Sequence, residues 1–180
     1  MGRALWTLIL GAVLFVTSAD GAGYFRSYGA QYVTPVRAVA AFHNGDDGFR
    51  TGSAGGVIVF SQQNFPNYQP VLVDLTLRDL EPGDYEINIH FFGDTSDGCL
   101  GGSTSGKRYH LLHRFTIERS NTNGTLWRSL KDRDISVTDL LGGIIGRAIG
   151  LVRRGSNGDY NDVVGCTVIG TAMDVSAIRN

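Results

Sequence analysis

What most constrains this chain is a two-residue alternation of apolar side chains that recurs along much of its length. In Val71-Leu72-Val73-Asp74-Leu75-Thr76-Leu77 every odd position is apolar, and Tyr85, Ile87, Ile89 and Phe91 repeat the pattern. Successive side chains of a strand point to opposite faces, so this period buries one face of a sheet and does not make the stripe of a helix. Shorter apolar runs at 37–42 and 55–61 read as further strands, as do 109–118, 135–137, 144–152 and 163–172. Glu81-Pro82-Gly83-Asp84 places Pro and Gly where a type II turn wants them. No stretch carries a capped, long amphipathic helix, and short strands without helical crossovers predict an all-β antiparallel sandwich or barrel. The 180 residues suit one domain, and a 42% hydrophobic share supplies its core. Twenty-five Gly against 4 Pro fit many short strands joined by turns better than a disordered chain.

The N-terminus reads as a targeting segment. Arg3 is followed by an apolar run over 4–16, and Thr17-Ser18-Ala19 then offers small residues for cleavage, with Ala22 as a second site. The run is shorter than the ~20 residues a bilayer span needs, and Trp6 breaks the myristoylation pattern. The expected organisation is a signal peptide over 1–19, a loose N-terminal arm over 20–34 and one domain over 35–180, exported from the cell. Removing the signal takes Arg3 with it, so the net charge moves from −1 to −2. With no run of five basic residues, neither a nucleic acid nor a membrane is an expected partner. Cys99 and Cys166 are the two cysteines, and in an oxidising lumen such a pair bonds to itself; two free buried thiols are the alternative. Asn123-Gly124-Thr125 is a glycosylation sequon and equally the Asn-Gly turn of a hairpin.

Three stretches carry a family resemblance. Leu80-Glu81-Pro82-Gly83 leads to Asn88-Ile89-His90-Phe91-Phe92-Gly93-Asp94 and Asp97-Gly98-Cys99; Gly143-Ile144-Ile145-Gly146-Arg147 follows, and Gly165-Cys166-Thr167-Val168-Ile169-Gly170 closes the set. In this order, and with Gly55-Gly56-Val57-Ile58-Val59-Phe60-Ser61-Gln62 before them, they resemble the copper/zinc superoxide dismutases over about residues 35–172. The resemblance implies a Greek-key β-barrel or sandwich, a disulfide between Cys99 and Cys166, and a homodimer through Ile144-Ile145-Gly146 and Val168-Ile169-Gly170.

It also exposes losses. The family binds copper through four imidazoles, which suit Cu(II), two of them from a His-x-His on one strand. Here that pair reads Asn88-Ile89-His90, an amide and one vestigial ligand position. The bridging histidine is absent from 100–106, Val152 stands where the last copper histidine is expected, and Val163 and Val164 stand where the guiding arginine is expected, leaving Arg153 or Arg154 to substitute. His113 matches a zinc-ligand position, but its aspartate partner falls at Thr116. The intervals from Cys99 to His113 and from Arg147 to Cys166 are shorter than in active members of the family, so the metal loop and the charged loop are cut back. In the strand reading His110 and His113 fall on opposite faces, His43 lies in a polar turn, and His90 is a leftover polar residue on the outer face of its strand. No nucleophile elbow, phosphate loop or zinc-protease motif occurs. Lys131-Asp132-Arg133-Asp134 reads as a solvated loop. The expectation is therefore a secreted, superoxide dismutase-like glycoprotein that has become a pseudoenzyme, with no catalytic residue and no cofactor, binding an unidentified protein partner. The alternative is a divergent copper-dependent superoxide dismutase that also uses zinc.

Overall fold

The computed structural model describes residues 35–43, 53–63, 69–99, 105–121, 123–139, 142–155 and 160–172. The expected signal peptide and arm, the turn after His43 and the Gly-rich stretch 100–104 lie outside them. Among the described residues nine strands form: β1 (Val36–Phe42), β2 (Gly55–Gln62), β3 (Val71–Arg78), β4 (Gly83–His90), β5 (Arg108–Ile117), β6 (Leu126–Asp132), β7 (Ala148–Arg154), β8 (Tyr160–Val168) and β9 (Gly170–Thr171). They make two antiparallel sheets, β6-β3-β2-β1-β9 and β5-β4-β7-β8. The expected all-β Greek-key sandwich is what forms: β6 returns beside β3, and β7 beside β4, after excursions through the opposite sheet.

The alternation explains the core. Val71, Val73, Leu75 and Leu77 of β3 are all buried, and they join Ile58 and Phe60 of β2 and Ile87, Ile89 and Leu151 of the second sheet in one apolar cluster. The chain passes from the first sheet to the second at Pro82-Gly83. Gly83 already pairs with Ile117 as the first residue of β4, with φ near +152°, so this is an extended corner in place of the expected type II turn. Tyr85 fastens it. Its hydroxyl donates to the Glu81 carbonyl at 2.6 Å, in the manner of a tyrosine corner, while its ring stacks on Phe115 with centroids 5.2 Å apart.

Several expected elements differ. Residues 135–137 form no strand; Ile135 and Val137 instead plug the core from a loop that Gln62 holds, its Oε1 accepting from the Val137 N–H at 2.7 Å. The run 144–152 is a turn followed by β7, and 163–172 is two strands, because the chain changes sheet at the buried Ile169. Phe91 lies past the end of β4 and is 48% exposed. Asn123-Gly124 turns the chain from β5 in one sheet to β6 in the other, so it is a crossover and not a hairpin. Gly124 is required there: its φ is +53°, and a Cβ would lie 2.1 Å from the Leu80 carbonyl oxygen. Lys131 and Asp132, read as loop, close strand β6.

Candidate functional site

Strand β4 is buried on both faces, and this sets up the site. Tyr85, Ile87 and Ile89 face the core, while Glu86, Asn88 and His90 point the other way. His90 is on that outer side as expected, but the face is covered there and the residue is only 4% exposed. Burial costs a polar group its water, so each such atom should find a partner. Three do not: the Nε2 of His90, the Oδ1 of Asn88 and the Oε2 of Glu86 are buried without a hydrogen bond among the described residues, the last having only the Arg108 guanidinium at 3.5 Å.

The His90 ring is fixed from its other side. Its Nδ1 lies 3.2 Å from the Gly106 carbonyl oxygen, and since a carbonyl only accepts, Nδ1 carries the proton. In the neutral ring Nε2 is then a bare lone pair. It points toward Gly150 of β7, where a Cβ would come within 3.3 Å of it and within 3.0 Å of the Cys99 Cβ. The missing side chain leaves room for both the imidazole and the disulfide. Cys99 and Cys166 are bonded, with Cα atoms 5.7 Å apart, and Cys166 lies opposite Gly150 in the β7–β8 register. Asp97 organises the approach, accepting from the Cys99 N–H at 3.0 Å and from the Ser105 hydroxyl at 3.1 Å. Asp97 belongs to the Asp97-Gly98-Cys99 motif, but the sequence pattern assigns no role to it, to Gly106 or to Gly150.

The other histidines go elsewhere. A bulge in β5 pairs Ile87 with His113 and Asn88 with Leu111, skipping Leu112. A second irregularity follows, and His110 ends opposite Ile89. His110 and His113 are therefore both opposite core-facing residues, not on opposite faces as the simple alternation predicts. His110 Nε2 contacts Asp132 Oδ2 at 2.7 Å, bridging the edge strands of the two sheets. His43 is exposed beyond β1. Among the described residues no three His, Cys, Asp or Glu side chains converge as a metal cluster.

His113 is held below the ordinary imidazole value of 6.5, first by burial and then by the nearby Arg128 guanidinium. A lowered folded-state pKa means that the unfolded chain binds the proton more readily. The contribution to stability is full above the unfolded value of about 6.5 and is lost as the pH falls from there through the lower folded-state value. Thermal melts in that window should drop more steeply for the native protein than for His113→Gln; equal slopes would remove His113 as the cause.

A copper ion of the family's kind would meet one imidazole nitrogen and one amide oxygen here, with Gly150 and Leu111 as the flanking pair partners of Asn88. That donor set does not fit Cu(II), which the four-imidazole arrangement suits. Val152, at the expected position of the last copper ligand, is buried opposite Glu86 and Val163. At the zinc-type position Thr116 donates to Asp84 Oδ1 at 2.6 Å. Arg153 is committed to Glu81 and to Asp162, the latter at 2.9 Å. Arg154 instead joins a group that the sequence did not disclose. Glu86, fully buried, takes Arg114 Nε at 2.7 Å on Oε1, with Arg108 at 3.5 Å and Arg154 at 3.8 Å.

No family model matches the chain. Among curated proteins it is 41% identical over 58 residues to superoxide dismutase [Cu-Zn] 4 of Dictyostelium discoideum, a stretch covering 32% of this chain and 37% of that relative. It is 30% identical over 104 residues to superoxide dismutase [Cu-Zn] 5 of the same organism, covering 52% of this chain and 67% of that relative. Together with the two-sheet fold and the position of the His90 strand, these matches mean that the chain belongs to the copper/zinc superoxide dismutase family.

Proposed function

We propose that this protein is a secreted, non-catalytic member of its family whose scaffold serves as a binding module. The observation that carries this reading is the pair Asn88 and His90: one amide and one imidazole on a buried face where the family's chemistry rests on several imidazoles. Export is supported by Arg3, the apolar run behind it and the small residues at 17–19. The Asn123 side chain is exposed, as a glycosylated asparagine has to be. A second reading, a divergent copper-dependent dismutase, draws on the free Nε2 lone pair of His90. Copper and zinc loading followed by metal analysis and a superoxide assay separates the two.

The homodimer belongs to the same proposal. Phe92 is 60%, Val168 39% and Ile145 37% exposed. They lie together, because a Cβ on Gly93 would touch both the Gly146 carbonyl and the Val168 side chain. Large apolar side chains gathered on one patch are usual at subunit contacts, and a second copy presents the same patch about a two-fold axis. Ile144 and Ile169, also expected there, are core residues with no exposure. Light scattering should give twice the chain mass for the native protein and a monomer for Phe92→Glu. A native monomer at micromolar concentration would refute the contact.

A further inference from the structure

We infer that the outer face of the β5-β4-β7-β8 sheet binds a small tetrahedral oxyanion, a phosphate or sulfate group, through Arg114 and Arg154, with Arg108 adding its charge from the other side of the same carboxylate. This names a ligand class for the binding role proposed above, yet it rests only on the geometry of this face. The three arginines are scattered in the sequence, on β5 and at the end of β7, and form no basic run. Folding brings all three onto one buried carboxylate, Glu86 of β4.

That carboxylate cannot satisfy them. Each guanidinium carries five N–H donors, and only Arg114 Nε makes a hydrogen bond to Glu86; the contacts of Arg108 and Arg154 are longer ion pairs at 3.5 and 3.8 Å. Arg154 Nε is itself buried with no acceptor among the described residues. A cavity of about 300 Å³ lies between Arg114 and Arg154, bordered by Asp84, Thr116, Tyr85 and Phe115. Asp84 is occupied by the Thr116 hydroxyl. Even with Asp84 counted beside Glu86, three guanidiniums against two carboxylates leave one positive charge unbalanced. A tetrahedral oxyanion matches this arrangement: its oxygens accept from planar forks in charge-assisted bonds, and its charge offsets the surplus. Glu86, beneath the forks, holds them in place in its absence. The arginine side chains are 37–56% exposed, so the ligand enters from solvent.

The test is an NMR titration of the purified full chain with sodium phosphate at constant ionic strength, chloride making up the balance. The Nε–Hε signals of Arg114 and Arg154 should shift and saturate, while those of Arg37 and Arg119 stay. Arg154→Gln should weaken phosphate about tenfold, the loss of one charge-assisted contact. A phenyl phosphate arm distinguishes sources: tighter binding than phosphate marks an ester-borne group, equal binding a free anion. Shifts at Arg114 and Arg154 no larger than at Arg37 and Arg119 would overturn the site, as would unchanged affinity in Arg154→Gln. If that variant fails to fold, the native titration still decides. The readout involves neither metal nor superoxide, so a negative result leaves the non-catalytic reading untouched.

Discussion

Reduction of the Cys99–Cys166 bridge is expected to lower the melting midpoint by on the order of 10 °C. The bridge closes a loop with a sequence separation of 67. The chain-entropy view gives about 4 kcal/mol for a loop of that length, arising mostly in the unfolded state. For a domain of this size each kcal/mol moves the midpoint by roughly 2–4 °C. The folded state is built around the bond: Gly150 leaves it space, Asp97 holds the Cys99 amide, and Cys99 itself takes a left-handed backbone with φ +59°. That conformation is unfavourable for a residue with a Cβ, so the segment loses its tether and keeps its strain once the bond is cut. Calorimetry with and without reductant, and on the Cys99→Ala, Cys166→Ala double variant, should show the drop in both cases. An unchanged midpoint would contradict the assigned role of the bridge.

The second large effect is expected at the buried carboxylate. Arg114→Ala should cost about 2–3 kcal/mol, below the 3–5 kcal/mol typical when one member of a buried pair is removed. The reduction arises because Arg108 and Arg154 remain within 4 Å of Glu86 and Arg114 is itself 56% exposed. What is lost is the one short hydrogen bond to a carboxylate that has no exposure. The double change Glu86→Leu, Arg114→Leu should recover only part of that loss, since it removes the desolvated charge with its nearest partner but leaves Arg108 and Arg154 without their carboxylate. Urea denaturation of Glu86→Leu, Arg114→Leu and the double variant forms the cycle that measures the coupling. A single-variant cost below about 0.5 kcal/mol, the size of an ordinary surface change, would mean that Glu86 does not depend on Arg114.

The two-residue period at 71–77 and 85–91 and the apolar runs at 37–42 and 55–61 placed the first four strands to within two residues, because these strands share a common core. Where that condition fails, so does the reading. Strand β6 is an edge strand with no fully buried side chain, and Trp127 on it is 81% exposed, so its residues look like loop. The bulge in β5 breaks the alternation at Leu112 and turns His110 and His113 to positions a regular strand would not give them. The candidate site was legible as chemistry: an amide beside one imidazole, and valines where ligands and the guiding arginine are expected. Its burial was not. Glu86, Asn88 and His90 alternate like a solvent-facing row, and what encloses that row comes from elsewhere in the chain: guanidiniums of Arg108, Arg114 and Arg154 at Glu86, the Gly106 carbonyl and the bridged Cys99 at His90. Such contacts are long-range, and no local pattern announces them.

The most direct measurement on the central claim is elemental analysis of the purified protein after loading with copper and zinc, followed by a superoxide dismutation assay on the same sample. A face presenting one imidazole and one amide predicts far less than one copper per chain after dialysis, and no dismutation above the metal-free control. One tightly held copper per chain together with dismutation would contradict the account and make His90 a working ligand.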